Sequence, residues 1–535
     1  MTTADLIVLA DRVHTMAADS AEVTAIAMAG GVVTATGDRA DARDWRGPGT
    51  QVLDLGSATV VPGLVDGHFH PVTGIGLTRG ADLSGVRTIA ELVAALRAAD
   101  RGGWVQGWGL DPNVFAGAPI THGPLAEALG PDVPAFLLLF DAHSALVSER
   151  ALELAGIDGP REFSSAASVV CDAGGRPTGH LLEWEAIDLV RGLLPADEPA
   201  ARRARLLDLL RRMAAAGLTA ANAMDFEDDT GDLFRALEAD GELPIRWRCA
   251  PFVMPGDGPD ALDAVIQRQQ MGGRRWRVDG AKFMIDGTID GGTAWLEEPD
   301  THGESTACLW PDPAGYAAAV RTLAARGVPI VTHAIGDAGV RYVLDTLAAL
   351  PHRPAVPHRV EHLETLPSAL IGRFAALDVT ASMQPTHCAH YTRADQSDNW
   401  SRRLGKKRAD RAFRARDLRE HGARVALGSD WPIAGFDPRA IMAAARLRRP
   451  AGEPGIEPVL PAQALTARMA LAGYTTEAAA AAGLGDRAGR LLPGSRADLT
   501  AFALDPLTAD PDEFAESPVR LTVLDGTVTH RGGDT

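Results

Sequence analysis

The sequence predicts an α/β protein: a (β/α)8 TIM-like barrel with a small β-sandwich domain formed by both termini and a subdomain inserted after the first barrel strand. Three observations predict it. Eight short apolar runs recur through the middle of the chain, and amphipathic segments lie between most of them. Both ends instead carry short strand-like runs broken by turn residues. A stretch from about residue 72 to 217 separates the first apolar run from the second, too long for a loop in a compact domain.

At the amino end, residues 5–10, 23–28, 31–35 and 51–55 read as strands, punctuated by Gly30-Gly31 and Gly37-Asp38. The tail repeats that character at 497–502 and 519–524, and Asp525-Gly526 is a hairpin dipeptide before 527–530. Residues 1–60 plus 490–535 are therefore expected to form one composite β-domain. The eight runs of the middle are 60–66, 218–226, 245–251, 278–286, 329–333, 358–362, 379–384 and 424–430. Segments such as 313–326 and 339–350 have helical periodicity and end at breakers. This places the barrel at 61–489. Residues 72–217 contain helical patterns of their own and form a cap subdomain over the barrel mouth. The Ala-rich stretch 478–482 reads as plain helix.

Composition bounds the function. Hydrophobic residues make up 46% and charged residues 23% of the 535, as in an ordinary globular protein, which excludes whole-chain disorder, coiled coil and collagen. The formal charge of −18 argues against nucleic acid and anionic membrane as partners, because both select basic surfaces. The amino terminus lacks a basic segment followed by a long apolar run, so no signal peptide is expected. The most apolar stretch, 134–140, falls far short of the ~20 residues that span a bilayer. Cys171, Cys249, Cys308 and Cys388 are widely separated with no C-x-x-C pair, so the expectation is a reduced, cytoplasmic protein.

Among the basic residues only Lys282, Lys406 and Lys407 are lysine. A lysine in an apolar context is therefore conspicuous, and Lys282 lies inside the run 278–286. Burying an ammonium costs several kcal/mol unless it is paired or chemically altered. One reading is a salt bridge to Asp279 or Asp286. The other is a neutral amine carrying a carboxylate derived from CO2, able to bridge two metals. His68 and His70 stand two apart at the end of the first run, so both point to one side of a strand. His333, His362 and Asp430 end the fifth, sixth and eighth runs. Each alone is commonly structural. Together they gather metal-ligand chemistry at successive strand ends, where barrel sites form.

These residues sit in motifs that resemble the amidohydrolase superfamily, and within it the amidohydrolase-3 branch that includes N-substituted formamide deformylases. The matching stretches are PGLVDGHFHP (62–71), AKFMIDG (281–287), HAIGD (333–337), RVEH (359–362), MQPTH (383–387) and GSDWP (428–432). The inserted region contributes WVQGWGLDP (104–112), DAHSALV (141–147) and GRPTGHLLE (175–183), and the tail RLLPGSRADL (490–499). The resemblance implies a binuclear centre, with zinc favoured. His68, His70 and Asp430 would hold one metal and His333 and His362 the other, with carboxylated Lys282 and a hydroxide bridging them.

The same resemblance implies hydrolysis of a carbon–nitrogen bond in a small-molecule amide, with Asp430 also acting as proton shuttle. His143 is the candidate oxyanion donor. Asp337 and Glu361 would orient ligand histidines. Trp104, Trp108, Asp111, Glu183, Gln384 and His387 are candidate substrate contacts. Deamination, decarboxylation or hydration on the same fold, or a non-catalytic scaffold, are the alternatives. A homodimer is carried over from the family alone. The chain also departs from the pattern. After Asp286-Gly287 it reads Thr-Ile-Asp-Gly-Gly-Thr-Ala, where many relatives carry a Ser-Leu-Gly-Ser-Arg-like stretch, so an arginine is missing and Asp290 is added. The segment after Gln384 contains Cys388 and His390. Neither G-x-S-x-G nor G-x-x-x-x-G-K-[ST] occurs, which removes a nucleophile-elbow hydrolase and a P-loop.

Overall fold

The structure is a computed structural model that describes residues 3–17, 22–163, 167–226 and 229–533. Its centre is a set of parallel strands. Leu64–Phe69 pairs with Leu218–Ala223, that with Arg246–Cys249, and that with Trp276–Val278. Phe252–Val253 pairs with Ala281–Met284, followed by Ile330–Ala334, Arg359–His362, Thr380–Met383 and Val425–Leu427. A parallel bridge between Phe69 and Trp431 ties the end of the first strand to the segment after the last. Most of these strands are buried on both faces, which explains why they read as continuous apolar runs without alternation. Helices such as Pro313–Ala324 and Asp337–Ala348 cross between them.

Two runs are broken. Trp276–Val278 and Ala281–Met284 are separated at Gly280, whose φ of +136° is open to glycine but strained for other residues. The expected first strand, 60–66, belongs to two sheets. Thr59–Pro62 pairs antiparallel with Leu499–Phe502, and only Leu64–Phe69 joins the parallel set. The switch falls at Gly63, where a Cβ would lie 2.4 Å from Thr219 Oγ1 and 2.8 Å from Asp498 Cβ. Only glycine lets the chain pass between the two sheets there.

Both termini build the sheets beside this switch. One contains Val32–Gly37, Ala25–Ala29, Leu6–Leu9 and Gln51–Asp54. The other contains Arg12–Val13, Thr59–Pro62, Leu499–Phe502, Val519–Leu524 and Thr527–Arg531. Leu6, Val8, Ile26, Met28 and Leu53 of the first share a core with Val60, Leu499, Leu521 and Val523 of the second.

The inserted region carries a six-stranded mixed sheet as well as helices. Its order is Ser168–Cys171, Pro177–Leu182, Ser144–Val147, Ala135–Leu139, Val105–Leu110 and Ala81–Asp82. Ala135, Leu137 and Leu139 enter one core with Leu92 and Leu96, while Phe136 and Leu138 enter another with Val147 and Ile187. A strand covered on both faces shows no period-2 signal, so its apolar run identified burial but not the sheet. Among the described residues no helix is long and apolar enough to cross a membrane.

Candidate metal centre

His68 is the penultimate residue of the strand Leu64–Phe69, and His70 follows it. Asp430 follows the last parallel strand and reaches the same point. His68 Nε2 lies 3.3 Å from His70 Nε2 and 3.2 Å from Asp430 Oδ1, and His70 Nε2 lies 3.3 Å from that same oxygen. A tetrahedral first-row ion with bonds of about 2.0–2.1 Å has ligand–ligand edges of about 3.3 Å. The three donor atoms therefore already stand at the edge length of a metal polyhedron. The buried donors of His68, His362 and Asp430 also lie within 4.8 Å of one another. The residues present fit a divalent transition metal.

The backbone is bent to achieve this. Asp430 has φ +57° and His362 φ +73°, a left-handed conformation rare outside glycine and found where surrounding structure enforces it. Asp66 supplies part of that enforcement. Its carboxylate accepts from the backbone N–H of His68 and of Ser429, and Asp430 N donates to His68 O at 2.8 Å. Burial pushes the Asp66 carboxyl up to about 7, partly opposed by its bonds from Ser429 and His68.

His68 Nδ1 donates to Glu361 Oε2 at 2.7 Å, which fixes the tautomer with Nε2 as the free lone pair. Glu361 is itself gripped by Arg359, at 2.9 Å and 3.0 Å, and Arg359 donates on to Gly67 O and Ser382 Oγ. Burial would raise the Glu361 carboxyl, but Arg359 and His68 hold it well below the usual range. Arg359 and Glu361 both have 0% exposed side chains. A Glu361→Ala variant leaves the guanidinium buried and unpaired, a loss of about 3–5 kcal/mol. Its denaturant midpoint is expected to fall accordingly, with metal affinity weakened roughly 10–100-fold. An unchanged midpoint would show that water replaces the carboxylate without cost.

His333 extends this cluster through His362, and Lys282 lines the same cavity. The rings of His333 and His362 are 4.4 Å apart. His362 Nδ1 donates to Gln384 Oε1 at 2.9 Å and His333 Nε2 donates to Gly287 O at 3.1 Å, which leaves one nitrogen of each ring unprotonated. Burial, with neighbouring cationic groups, lowers both imidazoles well below their ordinary value, so both are neutral donors at neutral pH. Lys282 has no ion-pair partner among the described residues. The salt bridge to Asp279 or Asp286 is not formed. Asp279 pairs with Arg248 and Arg277, and Asp286 accepts from the backbone N–H of Trp295, Ile335 and Gly336. Burial brings the Lys282 amine down to about 8, against the pull of Glu361 and Asp430.

His143 comes from the inserted region and stacks toward the centre, its ring 5.1 Å from that of His333. Two hydrogen bonds lock it to Glu183: Glu183 N donates to His143 O at 2.7 Å, and His143 Nδ1 donates to Glu183 Oε2 at 2.8 Å. Burial disfavours the imidazolium, but Glu183 and Asp141 outweigh it and push His143 up to about 9. Glu183 is thus a partner of His143 and not a residue of the cavity lining.

The other sequence candidates divide. His387 lines the cavity, with Nε2 3.7 Å from Asp430 Oδ2. Gln384 holds His362 from behind. Trp104 and Trp108 pack against a core of the inserted region, and Asp111 caps the short helix Pro112–Phe115 through Asn113 N, so none of the three is part of the lining. Asp337 touches no histidine; it accepts from Glu297 N and Ala338 N and faces Arg411 at 3.5 Å. Leu77, Phe140, Trp184, Phe252, Met284 and Ile433 give the cavity apolar walls, and Asp141, Asp290 and Glu364 add carboxylates. Sequence motifs flagged Asp290 as a departure, but the apolar walls carried no signal, because apolar side chains on loops look alike whether they face a core or a cavity.

The parallel α/β core brings buried imidazole and carboxylate donors together at strand ends, a set that fits a divalent metal. The chain belongs to the amidohydrolase family, which matches residues 51–530. It is 27% identical to YtcJ of Bacillus subtilis (strain 168), named as an amidohydrolase, over 97% of this chain and 98% of that one. It is 25% identical to an N-substituted formamide deformylase of Arthrobacter pascens, with 98% of each chain covered. A solved metal-dependent hydrolase of Pyrococcus horikoshii OT3, itself uncharacterised, shares the fold with a TM-score of 0.72 at 22% identity, covering 95% of this chain and 99% of that one.

Proposed function

We propose that this chain hydrolyses a carbon–nitrogen bond in a small-molecule amide of the N-substituted formamide kind, at a binuclear centre. The observation that carries the reading is the spacing of His68 Nε2, His70 Nε2 and Asp430 Oδ1 at the edge length of a metal polyhedron. In this reading His68, His70, His333, His362 and Asp430 would hold the metal, zinc being favoured, and Lys282 as a carbamate would add anionic oxygens to the donor set. The parallel strands are taken as a closed (β/α)8 barrel over 61–489, with 72–217 as its cap and 1–60 plus 490–535 as a composite sandwich. The full-length similarity to a formamide deformylase supports the substrate class.

Two bound metals supply Lewis acidity and water acidified to react at neutral pH. The protein's own groups do the rest. An amine brought down to about 8 is partly neutral at pH 7, the form that adds to CO2, and a carbamate removes the cation that would otherwise repel metal. Asp430, with its second oxygen 3.7 Å from His387 Nε2, is placed to take a proton and pass it to the leaving nitrogen. His143, held as imidazolium by Glu183 and Asp141, presents a donor to the developing oxyanion. The aromatic walls Phe140, Trp184 and Phe252 exclude water from the scissile bond.

The test is product analysis. Zinc-loaded protein is expected to release equimolar formate and amine from N-butylformamide or a close homologue, and chelator-stripped protein none. Release of ammonia from an amino-substituted ring instead would make the chain a deaminase. A metal-loaded protein inert toward every amide and formamide, but active on a lactone or ester, would overturn the assignment.

A further inference from the structure

The cavity has an unbalanced wall. Asp290 lies in the loop after Ala281–Met284. Its backbone and side chain are both fixed: Asn399 Nδ2 donates to Asp290 O at 3.1 Å and to Oδ1 at 2.8 Å, and Asn399 N is tied to Asn113 Oδ1 of the inserted region. The preceding turn is pinned as well, because Gly291 N donates to Thr288 Oγ1 and Thr288 Oγ1 to Asp141 Oδ2. Asp290 Oδ2 has no hydrogen-bond partner and Asp290 no ion pair among the described residues. The residue is half-buried, and it lines the cavity.

The groups around it do not neutralise it. Glu364 shares the lining; its Oε2 accepts from Trp400 Nε1 at 2.7 Å, and its Oε1 is 3.8 Å from His387 Nδ1. Asp141 shares the lining too, but its oxygens are taken up by the N–H groups of His143 and Ser144 and by the hydroxyls of Ser144 and Thr288. His387 is 6% exposed, and its Nε2, without a hydrogen-bond partner, is a second polar atom left for a ligand in the same space. Burial, and after it the Glu364, Asp141 and Asp111 carboxylates, push the Asp290 carboxyl well above its ordinary value, a cost that an incoming cation would relieve. A carboxylate on the substrate would meet Asp290 and Glu364 with no arginine to receive it.

Resting on the hydrolase reading above, we propose that the wall formed by Asp290 with Glu364 selects substrates that carry a positively charged nitrogen. The substrate class is then an amide or formamide with an apolar linker, seated between Phe140, Trp184 and Phe252, that ends in an ammonium. Asp290 is a specificity residue: it binds the part of the substrate that does not react.

The experiment compares three formamides of matched length on the zinc-loaded chain and its Asp290→Asn variant: N-formyl-1,3-diaminopropane, N-butylformamide and N-formyl-4-aminobutyrate. The wild type is expected to favour the ammonium compound over the isosteric neutral one at least tenfold in kcat/KM, and to reject the carboxylate. In Asp290→Asn the preference is expected to collapse, the ammonium compound losing more in kcat/KM than the neutral one. Equal wild-type rates for the ammonium and neutral compounds, or a preference that survives the variant, would overturn the proposal. If none of the three is turned over, the hydrolase reading is what fails. The wall is then tested by binding, with n-butylammonium against n-butanol in ligand-observed NMR. Tighter binding of the ammonium that is lost in Asp290→Asn upholds it, and equal binding refutes it.

Discussion

The Lys282→Ala variant is expected to fold and to lose most of its metal and activity. Wild-type protein purified without chelator is expected to hold close to two ions per chain by elemental analysis, and the variant far less. The physical case rests on what a buried, unpaired amine costs. Lys282 is 2% exposed, beside His333, His362 and Asp430 in the cavity, and no carboxylate in the described structure pairs with it. A purely structural role would keep a buried ammonium whose desolvation outweighs the pull of Glu361 and Asp430. A carbamate, as proposed above, would turn a repelling cation into two anionic donor oxygens. Losing a group that merely orients a ligand costs about 10–100-fold in metal affinity or activity; losing a bridging ligand is expected to cost more. Short-chain carboxylic acids added to the variant supply the missing oxygens and are expected to restore part of the activity. About one ion per chain, unchanged in the variant, would make Lys282 structural and the centre mononuclear, and deamination would become the better reading.

What the sequence revealed of this site follows from where each residue lies on the chain. His68, His333 and His362 stand in or at the ends of apolar strands, so the hydrophobic pattern that located the strands also located them. Lys282 was visible because arginine serves almost everywhere else. The supporting groups were less legible, because their meaning depends on contacts between distant segments. Glu361 meets His68 across 293 positions, and nothing in RVEH says which of several buried donors its carboxylate will face. Asp337 had the same apparent claim and turned instead to Glu297 N and Arg411. Trp104 and Trp108 lie in a motif of the inserted region yet pack inside it, since a tryptophan satisfies a core as readily as a cavity. The terminal sheets were legible from short strand-like runs broken by turn dipeptides. The sheet of the inserted region was missed: Ala135–Leu139 is apolar on both faces, and the burial alternation of Val105–Leu110 and Pro177–Leu182 is carried by glycines and polar residues that give little hydrophobic contrast.

Removing His143 is expected to lower kcat roughly 100–1,000-fold, the usual cost of deleting one oxyanion donor, while metal content and KM stay close to wild type. The prediction separates an electrophile from a packing residue, because a packing defect would act on stability and KM as well. Glu183 gives the sharper half of the test. Its backbone sits at φ +63°, ψ 157°, a region that a residue with a Cβ enters only at a cost of about 1–3 kcal/mol, and it does so while bonded to His143 through both N–H and carboxylate. Its remaining carboxylate oxygen, Oε1, is buried without a hydrogen-bond partner among the described residues. That arrangement starts the helix Trp184–Arg191, whose Ala186 and Ile187 N–H groups donate to Glu183 O, and at the same time aims the imidazole. Glu183→Gln keeps the shape and removes the charge, so it is expected to lower kcat in the same direction as His143→Ala. In the double variant the two losses are expected not to add, because each removes the same donor. Fully additive losses would mean that Glu183 acts elsewhere, and an unchanged kcat in His143→Ala would leave oxyanion stabilisation to the metals alone.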